Sequence, residues 1–180
     1  SRGLGDVYKR QIPGGQQRCS VRKYKTDEIE KEKLDKILEA ARIAPTAANA
    51  QSQRLLVISS QEAKEKLSKG VNYHGAPLAI IVCGDHSDVF VRPFDKKDMV
   101  SVDATIVADH IVLEAEDLGL SSCWLTYFDP EIIRNEFNIP SNLEPIAIIA
   151  VGYADTEKAS PDRHSKDRKA LESLVCYETF

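Results

Sequence analysis

The chain has 180 residues, a net charge of −4, 42% hydrophobic and 29% charged residues, which suits one globular domain with a real core. The acidic balance argues against a general binder of nucleic acid or anionic membrane, and no apolar run approaches the roughly 20 residues that cross a bilayer. No leader with a basic start and an apolar centre is visible, and Cys19, Cys83, Cys123 and Cys176 form neither a CxxC pair nor a zinc spacing with histidine, so they read as free thiols of a reducing cytosol.

The first 17 residues, SRGLGDVYKRQIPGGQQ, are rich in Gly and polar residues without a sustained period, and little order is expected there. DVYKRQ back-translates as GAT-GTG-TAT-AAG-AGA-CAG, the end of a transposon-type sequencing adaptor, so Ser1 to Gln11 is expected to be foreign sequence joined to the chain. Residues 18–180 are expected to form a single domain.

From Thr26 a surface helix is predicted, with Thr26 or Asp27 as N-cap, acids in the first turn and Ile29, Leu34, Ile37, Leu38 and Ala41 on one face. The small-residue stretch APTAANAQSQR follows at 44–54, with Asn and Gln amides able to donate and accept. LLVIS at 55–59 is a short β-rich run, and SQEAKEKLS a second capped helix. PLAIIVCG at 77–84 is continuously apolar, as in a strand buried on both faces. Residues 85–98 form an acidic loop with aromatic residues. DMVSVDATIVADHIVLEAEDLGL is the longest helix, apolar over far more than one stripe and therefore central or shared with a second subunit; Gly119 suits its C-cap. SSCWLTYF is a strand running into a turn, DPEIIRNEF a helix with Asp129 as N-cap and Pro130 at N1, and PIAIIAVGY another buried strand. A charged loop and a short helix end the chain. Helices and strands mix without strict alternation, which favours an α+β sandwich over a regular doubly wound sheet.

Most chemical motifs are missing. There is no GxGxxG after a strand, no P-loop and no GxSxG. His110 and Glu114 lie one turn apart with Asp103 and Asp109 nearby, a weak metal pattern that reads better as polar contacts on a buried helix. Cys83, Cys123 and Cys176 read as buried inert thiols, and Trp124 as core. An enzyme without such side chains would borrow a cofactor.

Charge is uneven. Arg18, Arg22, Lys23 and Lys25 crowd one segment without an acid, and five basic residues between Lys158 and Lys169 outnumber Asp162 and Asp167. On charge alone these are two solvated faces, or two halves of one anion site.

RCSVRKY at 18–24, LEAARIAPTAANAQ at 38–51, GLSSCWLTYFDPE at 119–131, AIIAVGY at 147–153 and KDRKALESL at 166–174 occur in an order and spacing that resemble the nitroreductase family of FMN-dependent oxidoreductases. The resemblance runs from about Arg18 to Tyr177. It implies an α+β sandwich with a central, mainly antiparallel sheet flanked by helices, built as an intertwined homodimer with FMN at the subunit interface.

By that resemblance Arg18, Cys19, Ser20 and Arg22 hold the FMN phosphate and ring edge, Cys19 standing where the family usually has a basic or polar residue. Lys166 and Arg168 also grip the phosphate. Pro45, Thr46, Ala47, Asn49 and Gln51 come from the neighbouring subunit, and Asn72 meets the pyrimidine. The backbone of Leu125, Thr126 and Tyr127 faces flavin N5 and O4. Ser52-Gln53 replaces the family's usual Pro-Trp, and Pro13-Gly14-Gly15 interrupts the usual first helix.

The implied reaction is ping-pong in the cytoplasm: NADPH or NADH gives a hydride to the flavin, and a nitroaromatic, quinone or enone then takes the electrons. No protein acid or base and no metal is required. The alternatives are a non-catalytic FMN store or sensor and a non-flavin structural homodimer; the last would leave the paired basic clusters unexplained.

Overall fold

A computed structural model describes residues 16–180; the expectations for Ser1 to Gln11 and for Pro13-Gly14-Gly15 lie outside the described residues. The centre is a four-stranded sheet made of β1 (Gln53–Ile58), β2 (Leu78–Asp85), β3 (Ser121–Leu125) and β4 (Leu143–Gly152) in the order β1-β2-β4-β3. Every neighbouring pair is antiparallel. Helices α1 (Lys31–Ile43) and α3 (Val100–Asp117) cover one face, while α2 (Gln61–Gly70) and α4 (Pro130–Glu136) cover the other. This is the expected α+β sandwich.

The two central strands explain their own sequences. β2 is buried at all eight positions, because alternate residues enter different helical layers. Leu78, Ile80 and Val82 pack with Ile149 and Val151 under α1 and α3. Ala79, Ile81 and Cys83 pack with Ile148, Leu67 and Ile133 on the opposite side. A strand sandwiched in this way needs no polar alternation. Helix α3 buries Val100, Asp103, Ala104, Val107, Ala108, Ile111, Val112 and Ala115, yet Val102 remains 44% exposed.

Local signals hold for α2 and α4. Ser60 accepts from the Ala63 amide at 3.2 Å, and Asp129 accepts from the Glu131 and Ile132 amides at 2.9 and 3.0 Å, with Pro130 at the first helical position. Gly119 takes the left-handed conformation (φ 75°) just after α3, as a C-terminal glycine should.

The start of α1 differs from the expectation. Neither Thr26 nor Asp27 caps it; the helix begins at Lys31 behind Glu30. Tertiary contacts override the local signal. Tyr24 bridges Ala154, and Lys25 donates its amide to the Tyr153 carbonyl at 2.9 Å, which keeps the preceding segment extended. The Tyr153 hydroxyl donates to the Glu30 carboxylate at 2.7 Å and accepts from Lys33 Nζ at 2.6 Å. All four cysteines are free, but Cys176 is exposed rather than buried, since every residue from 165 onward lies on the surface. Trp124 is half-buried against the core.

Candidate functional site

Segment 18–25 runs beside the outer edge of β3. Ser20 bridges Ser122 in parallel, and the Val21 amide donates to the Ser122 carbonyl at 3.0 Å. Val21 and Tyr24 are buried with Cys123, Ala76 and Ala150, so the segment is pinned at two points three residues apart. Ser20 and Arg22 are left exposed, with Arg18 and Cys19 half-buried beside them. The Tyr24 hydroxyl donates to the Val21 carbonyl at 2.7 Å and locks the turn from within; burial pushes its pKa above the ordinary tyrosine range. Burial likewise raises the Cys123 thiol, against the pull of Arg22 and Arg18 and a hydrogen bond with Ser20.

The two basic clusters meet. The short helix α5 (Arg163–Asp167) docks on this segment: Arg163 donates to the carbonyls of Arg18 at 2.7 Å and Gln16 at 3.1 Å. A ring nitrogen of His164 lies 3.0 Å from the Gln16 carbonyl. Two members of the clusters are neutralised, Lys23 by Asp155 at 2.9 Å and Lys158 by Glu116 at 2.7 Å. Among the described residues no acid pairs with Arg18, Arg22, Lys166 or Arg168; Lys166 and Arg168 are exposed at the end of α5. The sequence reading named Lys166 and Arg168 but passed over Arg163, whose role as a clamp on backbone carbonyls has no local signature.

A second loop closes this corner. Asn72 is exposed, and its side-chain oxygen accepts from the His74 amide at 3.0 Å. His74 and Gly75 turn the chain with φ of 60° and 66°. Burial and the neighbouring Arg22 lower the His74 pKa. Tyr73 packs against the cluster of Val21 and Cys123, as does Leu125 at the end of β3. Thr126 and the 98% exposed Tyr127 follow Leu125 on the surface. Arg18, Cys19, Ser20, Arg22, Asn72, Leu125 and α5 thus converge on one corner of the protomer. A cleft of 920 Å³ lies beside that corner, between the start of α1, the β1–α2 turn and residues 73–78.

The loop at 44–51 is elsewhere. Ser122 pairs through Val151 with Leu78, whereas Gln53 pairs with Gly84. Six residues of β2, about 20 Å of strand, separate the two levels. Pro45, Asn49 and Gln51 are exposed and Thr46 and Ala47 half-buried at this far end. Within one copy of the chain this loop and the Arg18 segment therefore lie at opposite ends of the sheet.

A family model described as "Nitroreductase family" matches residues 16–74 and 69–153. The chain belongs to the nitroreductase family. A nitroreductase family protein from Clostridium difficile 630 has a solved structure that is 50% identical, with a TM-score of 0.92 over 94% of this chain and 98% of that one. An FMN-dependent nitroreductase from Clostridium difficile R20291 is 35% identical, with a TM-score of 0.77 over 94% of this chain and 99% of that one. A protein of Methanothermobacter thermautotrophicus provisionally named NADH dehydrogenase/NAD(P)H nitroreductase is 33% identical over 86% of this chain and 83% of its own length. The sandwich described above is the nitroreductase fold of these relatives. Among the described residues no helix is long and apolar enough to cross a membrane.

Proposed function

We propose that this nitroreductase family member is an FMN-dependent NAD(P)H oxidoreductase of the cytoplasm, acting as a homodimer with each flavin site shared between subunits. The observation that carries the reading is the cationic corner. Arg18 and Arg22 lie together with α5 and the 72–75 turn, and among the described residues no acid neutralises them. Such a corner fits a terminal phosphate: guanidinium groups pair with its oxygens in a planar, forked geometry. Relatives named FMN-dependent nitroreductase and FMN reductase [NAD(P)H] support FMN as the phosphate's owner.

In this reading Arg18, Ser20, Arg22, Lys166 and Arg168 hold the phosphate and ring edge, with Cys19 packed behind them. Asn72 hydrogen-bonds the pyrimidine, and the backbone of Leu125, Thr126 and Tyr127 lies along the ring. Pro45, Thr46, Ala47, Asn49 and Gln51 serve the site of the second copy, consistent with their position at the far end of the sheet. When bound, FMN supplies two-electron transfer between NAD(P)H and an oxidised acceptor of nitroaromatic, quinone or enone type. The chain's own contribution is to hold and orient. Its cations favour negative charge at the ring edge, and its backbone donors restrain the ring. Exposed Ile43, Val102, Leu171, Leu174 and Tyr177 offer apolar surface for the second copy.

The test is the visible spectrum of the purified protein. Cofactor released by heat is expected to run as FMN on chromatography, and FAD there would refute the reading. Anaerobic NADH or NADPH is then expected to bleach the flavin band. A protein that holds FMN and is bleached by neither reductant would be a store or sensor instead.

A further inference from the structure

Asp103 lies in the first turn of α3, on its buried side, and is 0% exposed. A carboxylate taken out of water is costly unless it is paired or hydrogen-bonded. Among the described residues no cation pairs with it. Its Oδ1 instead accepts from the Ala47 amide at 2.9 Å, across 56 residues of sequence, and its Oδ2 has no partner. The helix N-terminus favours an acid here, but an exposed acid would serve that end equally well. The burial requires another reason.

That reason is the loop on top of it. Ala48, Asn49 and Gln51 all adopt positive φ (52°, 55° and 56°), a conformation that L-residues avoid and that persists only where the surroundings over-determine it. Inside the loop the Asn49 amide donates to the Thr46 carbonyl at 2.9 Å, and the Gln51 amide to Thr46 Oγ1 at 3.0 Å. The Ala47–Asp103 bond ties this self-bonded turn to the rigid α3. Among the described residues the buried side-chain polar atoms without a partner are Ser52 Oγ, Gln53 Oε1 and Asp103 Oδ2, and the fold gathers them at one end. Gln53 pairs with Gly84, whose added Cβ would lie 2.6 Å from Val100 Cγ1, one turn before Asp103.

We propose that Asp103 is a positioning residue: through the Ala47 amide it fixes the left-handed backbone that presents Asn49 and Gln51 to the flavin of a second copy. The inference rests on the shared FMN site proposed above. It adds a residue that itself touches no ligand and that supports the half of the site farthest from the phosphate.

The test is FMN titration of the full-length protein in five forms: wild type, Asp103→Ala, Asp103→Asn, Asn49→Ala and the Asp103→Ala/Asn49→Ala double variant. Asp103→Ala leaves a backbone donor unpaired and is expected to raise the FMN Kd roughly tenfold or more. Asp103→Asn keeps an oxygen acceptor and is expected to stay within about threefold of wild type. Once the loop is released, Asn49→Ala should cost much less than it does in the wild type, a coupling that a merely structural acid would not produce. Equal Asn49→Ala costs in both backgrounds, or wild-type affinity in Asp103→Ala, would overturn the proposal. Should Asp103→Ala not fold, amide exchange in the wild-type protein decides: a protected Ala47 amide supports the tie, and free exchange there removes it. A wild type that binds no FMN defeats the shared-site reading itself, whereas FMN binding indifferent to Asp103 defeats only this inference.

Discussion

Gly152 is where the packing of the core meets the proposed phosphate corner, and Gly152→Ala tests that junction. A Cβ added there would lie 2.6 Å from Pro77 Cδ, 2.9 Å from Tyr24 Cδ1 and 3.0 Å from Pro77 Cγ. None of these atoms can swing away. The proline is a ring, and the Tyr24 ring is held by its hydroxyl bond to the Val21 carbonyl at 2.7 Å. Gly152 does not have a positive φ, so the effect is steric and not conformational. Overpacking of this kind costs about 1–3 kcal/mol, which for a chain of this size lowers Tm by roughly 2–4 °C per kcal/mol. Because Tyr24 belongs to the basic segment and Pro77 follows the Asn72 turn, relief of the clash displaces both, and FMN affinity should fall together with stability. Urea denaturation and FMN titration on the same preparation measure the two effects. Gly70→Ala is the control: its added Cβ would lie 2.8 Å from Ile133 Cδ1, 3.0 Å from Ile133 Cγ1 and 3.2 Å from Ile132 Cγ2, all on α4, so stability should fall while FMN affinity stays unchanged. If Gly152→Ala kept wild-type stability to within about 0.5 kcal/mol, the packing argument would be wrong. If it lost stability but bound FMN normally, the link from Gly152 to the phosphate corner would be wrong.

In the proposed site Arg18→Ala and Arg168→Ala would each remove a charge-assisted phosphate contact and should weaken FMN about 10- to 150-fold; unchanged affinity in both, by fluorescence titration, would show the phosphate to be elsewhere. Flavin binding and association should be linked, so light scattering across a dilution series should show the apo form dissociating at higher concentration than the holo form, and a monomer with full flavin occupancy would end the shared-site reading. His86 sits between Glu144 at 2.7 Å and Asp98 at 3.2 Å, and these carboxylates raise its pKa. The clamp is fully present below the ordinary histidine value of about 6.5 and is lost as pH rises through the higher native value. Limited proteolysis of the 86–98 loop should therefore quicken as pH rises above about 6.5 and through the raised native value in the wild type but not in His86→Asn, and equal rates in the wild type would discount the clamp.

The sequence alone determined the elements whose causes are local. β2 and β4 are readable as doubly buried strands because continuous apolar runs fit only a sheet covered on both faces. The Ser60 and Asp129 caps bond to amides two or three residues away, and α3 shows its central place by being apolar over far more than one stripe. Family membership was legible because five short motifs keep their order. The tertiary structure decided whatever depends on residues far apart in the chain. The start of α1 was shifted to Lys31 by Tyr153, more than 120 residues from Glu30. Arg163 became the clamp on Arg18 from 145 residues away, and Asp103 the support of Ala47 from 56. Strand register set the largest of these outcomes. By pairing Gln53 with Gly84 and bringing Ser122 level with Leu78, it sent the 44–51 loop and the Arg18–Arg22 segment to opposite ends of the sheet. Register is a collective property of the buried faces, and no short stretch of the chain carries it.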